Sequence, residues 1–298
     1  MNVLIFEFRW LDEKICEFSG SVGARFGRKK LAIGADFSIE IKSEKKKCAG
    51  SFSENSWQIC PQNFSGKAKC ELCRAREKSF VFTAFDGFNF ENVNDEDLAK
   101  IKFPHLVYFA FFDENLVKVG VCNSSRKNLR QLEQGSLATL FVAATPDGIS
   151  ARQIETIFRQ NYFADKIKSA TKKKFLSPEP AENAEKILRE IFVDKKKIFS
   201  EHPNLENFFE KKPEFQNWEI FYGLPKIRDS NKNLHFVDLK FGEAVSGKIV
   251  AIRGPFIFLE TDEEIAAICA KDFAGLEVDF SPRPRGISVN SALQKTLF

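Results

Sequence analysis

Four cysteines with the spacing C-x11-C-x9-C-x2-C constrain the fold more than any other feature of this 298-residue chain. Cys70 and Cys73 can present two thiolates to one tetrahedral ion, and Cys48 and Cys60 would complete its coordination shell. The surrounding residues 43–79 are polar and lysine-rich, so a bound metal would supply the free energy that folds them. Four sulfur ligands leave no open position, which predicts a structural zinc. An unmetallated or redox-active C-x-x-C pair is the alternative.

The net charge of the chain is only +4, but its basic residues are clustered. Phosphate binding depends on local potential and on counterion release, so the clusters predict contacts with nucleic acid, with DNA favoured over RNA. The alternative is that each lysine run lies on a solvated helix face or loop. The clusters lie at residues 43–47, 67–78, 166–174 and 195–197.

The first residues, MNVLIFEFRWLDEK, lack the basic start and long apolar core of a signal peptide. Nowhere does the sequence approach the roughly 18 uninterrupted apolar residues of a membrane span. We therefore expect a cytoplasmic protein without a membrane partner. In a reducing compartment, cysteines outside a metal site are more often buried small side chains than disulfides, and Cys16, Cys122 and Cys269 lie in apolar contexts that fit this role.

Apolar periodicity divides the chain into five segments and predicts an α+β fold. Strand-like runs such as VLIFEFRW, WEIFYGL and GKIVAIRG lie towards both ends, whereas helical spacing is found in the middle. The glycine-containing run FGRKK is predicted to be a turn between two N-terminal strands. Neither terminal β segment has enough strands for its own core, so we expect the two to pack together. The predicted segments are an N-terminal β segment (1–42), a four-cysteine zinc-binding region (43–79), an α/β core with extra helices (80–212), a C-terminal β-rich segment (213–280) and a mobile tail (281–298).

The α/β core centres on the stretch HLVYFAFFDENLVKVGV, residues 105–121. Two apolar runs around a DEN turn predict a β-hairpin. Next, SSRKNLRQLEQG predicts a helix that ends at Gly135, LATLFVAA a third strand, and ISARQIETIFRQNYF a second helix. A hairpin core requires none of Tyr108, Lys118 and Gly120. Their presence suggests that this stretch has a functional role in addition to its structural one.

The runs HLVYFAF, LVKVGV, RKNLRQLEQG and ARQIE, in that order, resemble the GIY-YIG nuclease superfamily. The likeness is greatest to an uncharacterised branch that carries an N-terminal four-cysteine cluster. It implies that Tyr108 belongs to the first motif and orients the attacking water, and that Gly120 is the glycine of the second. Arg130 would steady the phosphate, with Arg126 one turn earlier as the alternative. Glu155 would hold Mg²⁺ or Mn²⁺ beside the scissile phosphate. The alternative for Glu155 is a local helix ion pair with Arg152 or Arg159.

Two residues depart from these motifs, since Leu106 replaces the first glycine and Lys118 the second tyrosine. A lysine can contact phosphate, although it is not the usual partner of a general base. At the start of the first helix, Arg126 and Lys127 are expected to add contacts to nucleic acid. The resemblance thus implies a divalent-metal-dependent endonuclease of DNA repair or replication. The alternative is a degenerate core that binds nucleic acid, or serves as a scaffold, without cleaving it.

The chain ends in SALQKTLF, in which Gln294, Leu297 and Phe298 are similar to the start of the sliding-clamp-interacting motif. In that motif the glutamine fills a small pocket and the apolar residues fill a hydrophobic one. The tip of a tail is where such a peptide would work. The similarity implies a sliding clamp as a further partner.

Overall fold

The computed structural model describes residues 2–23, 25–53, 56–77, 85–91, 93–163, 171 and 180–288. Strands and helices are mixed, and the chain divides into two compact units. The terminal unit comprises Met1–Lys78 and Phe221–Phe298, and the central unit comprises Ser79–Ile220. None of the described helices has the length and apolar character needed to cross a membrane.

The described elements are named here in chain order. The strands are β1 Val3–Trp10, β2 Ile15–Val22, β3 Arg25–Ala32, β4 Asp36–Ile41, β5 Ser51–Ser53, β6 Ser56–Gln58, β7 His105–Asp113, β8 Leu116–Asn123, β9 Ala138–Thr145, β10 Phe209–Asn217, β11 Leu234–Phe236, β12 Ala244–Arg253, β13 Phe256–Glu260, β14 Ile265–Cys269, β15 Glu277–Asp279 and β16 Gly286–Ser288. The α-helices are α1 Glu71–Arg76, α2 Asp95–Ala99, α3 Lys127–Gln134, α4 Gly148–Tyr162, α5 Ala184–Lys195, α6 Pro203–Glu206, α7 Glu219–Tyr222 and α8 Leu224–Arg228. Short 3₁₀ turns cover Ser124–Arg126, Lys196–Glu201 and Ala270–Phe273.

One large sheet organises the terminal unit, with strand order β11-β14-β13-β12-β4-β15-β1-β2-β3 and β16 paired to β12. Strands from both ends of the chain therefore alternate within it: β4 pairs with β12, and β15 lies between β4 and β1. Phe18 packs on Phe37, Phe273 and Phe280, with ring centroids 5.8 to 6.2 Å apart. Burying each large apolar side chain contributes about 2 kcal/mol.

Two short runs differ from their sequence-based assignment. FGRKK was expected to be a turn, yet it lies in β3, where six consecutive residues are exposed. The strand predicted for WEIFYGL is wrong, because the run forms α7 and then turns at Gly223, whose φ is 77°. A short apolar run fits a helix and a strand equally well, so periodicity could not separate the two.

An antiparallel sheet of order β10-β9-β7-β8 forms the centre of the central unit. The predicted hairpin is confirmed as β7 and β8, in which Tyr108 pairs with Gly120. Both helices predicted after the hairpin are also confirmed. The first is α3, which ends at Gly135 in the left-handed conformation, with φ of 75°. The second is α4, which begins at Asp147, whose side chain accepts a hydrogen bond from the Ser150 amide at 2.7 Å.

The two faces of this sheet are covered by different helices. Phe158 of α4 contacts Phe109 of β7 at a ring-centroid distance of 5.0 Å. Neighbouring strand residues point to opposite faces, so Tyr108 lies on the face away from Phe109. There it meets Gln134 at the end of α3. The sheet thus places Tyr108 under α3, beside the edge strand β8.

Candidate metal centre and candidate active site

The four cysteines of the sequence pattern come together in the terminal unit. Their Sγ atoms all lie within 4.8 Å of one another, and all four residues are buried. The Sγ atoms of Cys60 and Cys70 are 3.8 Å apart. A tetrahedral zinc with sulfur ligands at about 2.3 Å requires sulfur–sulfur distances of about 3.8 Å. The cluster therefore fits a tetrahedral metal ion such as zinc.

Local backbone structure brings these thiols together. Cys70 caps the N-terminus of α1, and its Sγ accepts a hydrogen bond from the Cys73 amide at 3.4 Å. The Sγ of Cys48 accepts from the amides of Cys70 and Gly50, at 3.2 and 3.5 Å. Gly50 has φ of 86°, and a Cβ there would lie 2.0 Å from the carbonyl oxygen of Gln58. Only glycine fits this close approach, which turns the chain into the β5–β6 hairpin.

The crowding of four thiols perturbs their ionisation. Burial, reinforced by the neighbouring cysteines, raises the pKa of Cys73. At Cys60 burial also acts to raise the pKa, but hydrogen bonds from the backbone amides of Phe64 and Gln62 and from the thiols of Cys48 and Cys73 together outweigh it and bring the pKa down to about 7. Several thiolates can share this buried space only with a cation among them, which is what a bound metal ion supplies.

In the central unit, the position of the Tyr108 ring explains why the opposite residue in the hairpin, Gly120, is a glycine. Tyr108 is fully buried, and its ring crosses the hairpin onto β8. A Cβ on Gly120 would lie 2.6 Å from both Cζ and Oη of Tyr108. Such a contact is far inside van der Waals distance, so glycine is needed here for the tyrosine to lie across the hairpin.

A short hydrogen-bonded chain joins Tyr108 to Lys118. The Nε2 of Gln134 donates to the Tyr108 hydroxyl, and the Nζ of Lys118 donates to Oε1 of Gln134 at 3.3 Å. Burial raises the pKa of Tyr108 to about 12, Glu155 adds to the increase, and Arg130 opposes it. Tyr108 is thus neutral at physiological pH, and its burial prevents direct contact with a substrate. Its role in any site is to position its neighbours.

Three basic side chains of the predicted site surround the end of β8. Arg126 ends the 3₁₀ turn that follows β8, and Lys127 and Arg130 lie on α3 directly after it. Burial raises the pKa of Cys122 on β8 to about 12, while Arg130, Lys127 and Arg126 all act to lower it. The side chains of Arg126 and Arg130 are about half exposed, at 51% and 44%. Both pair with Glu133, at 2.6 and 3.7 Å. The end of β8 therefore carries accessible positive charge.

Lys127 is held in place more firmly than its two neighbours. Its Nζ pairs with the carboxylate of Glu214 at 2.6 Å and lies 4.5 Å from the ring centroid of Phe141. Its side chain is 29% exposed. A phosphate would have to compete with Glu214 for this ammonium group.

Glu155 lies on α4 with its side chain only 15% exposed. Its carboxylate forms an ion pair with Arg152, three residues earlier on the same helix. Its charge acts to raise the pKa of Tyr108 on β7. Among the described residues, the cysteine cluster is the one group of three or more side chains that could hold a metal ion, so Glu155 is not part of such a group.

Sequence reasoning missed the role of one residue. Gln134, which bridges Tyr108 and Lys118, lies four residues after Arg130, so helical spacing could have placed both on one face of α3. The local helix ion pair that was the alternative for Glu155 does form, with Arg152. The predicted partner-binding residues are Gln294, Leu297 and Phe298, and all three lie outside the part of the chain that the structure describes.

A family model described as a protein of unknown function, DUF2797, matches residues 34–278. The chain belongs to the DUF2797 family. The match includes the four cysteines of the metal centre and the whole of the β7–β8 hairpin with α3 and α4. Searches of curated proteins and of solved structures each found no significant match to this DUF2797 protein.

Proposed function

We propose that this DUF2797 protein acts on nucleic acid through a central unit of the GIY-YIG type, as a divalent-metal-dependent phosphodiesterase of DNA repair or replication in the cytoplasm. One observation carries the proposal: the central unit brings Tyr108 of β7, Arg130 of α3 and Glu155 of α4 near enough that Arg130 acts to lower the pKa of Tyr108 and Glu155 acts to raise it, and the Tyr108 hydroxyl accepts a hydrogen bond from Gln134 at the end of α3. These are the three residues that the resemblance assigns to catalysis. They are distant in sequence, so a shared cluster is not a consequence of chain proximity.

The metal centre of the terminal unit is proposed to hold zinc. Four thiols suit a soft or borderline ion, and their tetrahedral spacing matches zinc among the common candidates. With every ligand position filled by sulfur, this zinc would be structural. It would link α1 to the segments on either side of the β5–β6 hairpin, which few apolar side chains hold together.

The side chains of the central unit have distinct proposed roles. Arg130 is accessible and would bind the scissile phosphate, because a guanidinium matches phosphate geometry. Lys118 would add a second cation. Tyr108, as a positioning residue, would hold Gln134 and Arg130 in place.

Glu155 would hold Mg²⁺ or Mn²⁺, with water and phosphate oxygens completing the ligand set. Such an ion stabilises charge on the phosphate. For Glu155 to bind it, the carboxylate must exchange its partner Arg152 for the metal. A substrate phosphate that attracts the Arg152 guanidinium would favour this exchange.

A second candidate function is binding without cleavage, and the Arg152–Glu155 ion pair favours it. A carboxylate neutralised by an arginine is a weak metal site. In that case the cations around Cys122 would dock on phosphates, and the zinc centre would stabilise a scaffold.

The two functions are separated by a cleavage assay on branched, single-stranded and duplex DNA and RNA with Mg²⁺ or Mn²⁺. Cleavage by the wild type that is lost in Glu155→Ala and kept in Glu190→Ala supports the phosphodiesterase. Glu190 is a matched control because it is an exposed glutamate on α5 of the same unit. Binding by both variants without any cleavage by the wild type would support the second function.

The clamp interaction is a separate proposal that rests on the sequence of the last residues alone. Deletion of residues 289–298 is expected to abolish co-purification with the sliding clamp and to leave nucleic-acid cleavage unchanged. Clamp binding that survives the deletion would refute the roles given to Gln294, Leu297 and Phe298.

A further inference from the structure

The edge strand β3 of the terminal unit has an unusual composition for its position. Residues 25–30, RFGRKK, are all exposed and carry four basic side chains and no acidic one. Among the described strands β3 pairs with β2 alone, so it forms the end of the sheet. Arg28 lies 3.8 Å from Glu17, and Arg25, Lys29 and Lys30 form no ion pair with another described residue. Their positive charge is available to a partner.

A row of aromatic rings leads from β3 to the cysteine-containing region. Phe26 contacts Phe6 at 5.7 Å, and Phe6 stacks on Trp57 of β6 at 4.8 Å with the rings 5° from parallel. Trp57 in turn contacts Phe52 of β5 at 6.1 Å. Phe6 is buried, whereas Phe26 and Phe52 are 54% and 47% exposed. The row therefore has a buried link and two accessible ends.

More positive charge lies beside these rings. The Nζ of Lys69 is 5.5 Å from the ring centroid of Trp57. Lys67, Arg74 and Arg76 are exposed on the same cysteine-containing region. On β3 itself, Phe26, Arg28 and Lys30 alternate with the other residues and so share one side of the strand.

We propose that the aromatic–basic face formed by Phe26, Phe52 and Trp57 together with Arg28 and Lys30 binds single-stranded nucleic acid, and that Arg25 and Lys29, on the other side of the same exposed edge strand, add positive charge beside it. Accessible rings provide stacking surfaces for unpaired bases, and the cations follow the phosphates. Duplex bases are already stacked and cannot use the rings, so a single strand fits this combination better. Stacking does not depend on the sugar, so both DNA and RNA are expected to bind. The inference rests on the proposed function only in taking nucleic acid as the partner.

The binding test uses the zinc-loaded full chain carrying Glu155→Ala, so that no strand is cut during the measurement. The probes are fluorescein-labelled oligo(dT), oligo(U) and a DNA duplex of equal length, read by anisotropy. Tryptophan quenching gives a second reading: of the three tryptophans, Trp10 and Trp218 are buried and Trp57 is partly exposed, so quenching by bound bases reports on Trp57.

Both single strands are expected to bind more tightly than the duplex and to quench Trp57. Lys29→Glu with Lys30→Glu should weaken single-strand binding at least about tenfold and reduce its salt dependence. Phe26→Ala should weaken it about tenfold through the lost stacking. The control is Lys226→Glu with Lys240→Glu, which reverses two exposed lysines of the same unit and should bind within about twofold of the parent. Zinc content verifies the folding of each variant.

Equal affinity of the β3 variant and the control variant would overturn the proposal, as would single-strand binding without quenching of Trp57. The outcome is independent of cleavage. If the wild type cleaves nothing while the β3 face binds single strands, the phosphodiesterase fails and this inference stands. If Glu155-dependent cleavage occurs while the β3 variant binds normally, the phosphodiesterase is supported and the single-strand binding face is refuted.

Discussion

The ring of Tyr108 occupies the space that a side chain at position 120 would need, with Cζ and Oη both 2.6 Å from the position of a Cβ on Gly120. This relationship explains why a tyrosine and a glycine face each other in the β7–β8 hairpin. It also places the tyrosine hydroxyl under α3, next to Gln134. The two residues are therefore expected to tolerate substitution only together.

Gly120→Ala should destabilise the protein by about 1–3 kcal/mol, because the added methyl group overpacks against the fully buried Tyr108 ring. The free energy of unfolding in urea measures this effect. Gly27→Ala is the control, since a Cβ at position 27 of β3 meets no atom within 4 Å. If Gly120→Ala were as stable as Gly27→Ala, the close packing of Tyr108 over Gly120 would be refuted.

The cysteine cluster predicts one zinc ion per chain, measurable by elemental analysis of the purified protein. Cys60→Ser should lose this zinc, because it removes one of the four sulfur ligands. Cys269→Ala is the matched control, since Cys269 is equally buried but lies on β14 outside the cluster. Full zinc content in Cys60→Ser, or a metal-free wild type, would contradict the assignment.

The pKa of Tyr108 predicts how stability depends on alkaline pH. Burial raises this pKa to about 12, above the value of about 10 in an unfolded chain. Between these pH values the unfolded chain releases the proton and the folded chain retains it. The stabilisation is therefore fully present below pH 10 and is lost as the pH rises towards 12, by up to about 1.4 kcal/mol per pH unit.

Tyr108→Phe cannot ionise and isolates this contribution. Between pH 10 and 12, the free energy of unfolding of the wild type should fall more steeply with pH than that of the variant. Near neutral pH the two free energies should change with pH in the same way and differ by a constant amount, because the variant lacks the hydrogen bond from Gln134. Equal slopes across the alkaline range would show that the hydroxyl is not buried in the folded protein.

The sequence predicted those parts of the structure that depend on strict spacing. The cysteine pattern identified a cluster that now has its four sulfurs within 4.8 Å, because a metal site leaves few arrangements of its ligands. The β7–β8 hairpin, α3 and α4 were also predicted, since two apolar runs around a turn and a helical period of buried residues are strong local signals.

Sequence patterns did not predict the features of the structure that depend on tertiary contacts. The basic run of β3 resembled a turn, because a strand at the end of a sheet can leave most of its side chains in solvent and then needs no apolar alternation. Within the candidate site, motif order indicated Tyr108 and Glu155, and helix spacing indicated an ion pair of Glu155 with a neighbouring arginine, but neither indicated that Tyr108 is fully buried. Burial depends on tertiary neighbours that a local pattern does not contain.

The central claim is that Tyr108, Arg130 and Glu155 act as one phosphodiesterase site. Its most direct test is single-turnover cleavage of one substrate by the wild type, Glu155→Ala, Arg130→Ala and the double variant. Each single variant should lose about 100-fold or more in rate, and the double variant should lose little beyond that, because residues that act as a unit are not additive. Cleavage by Glu155→Ala at the wild-type rate would contradict the account.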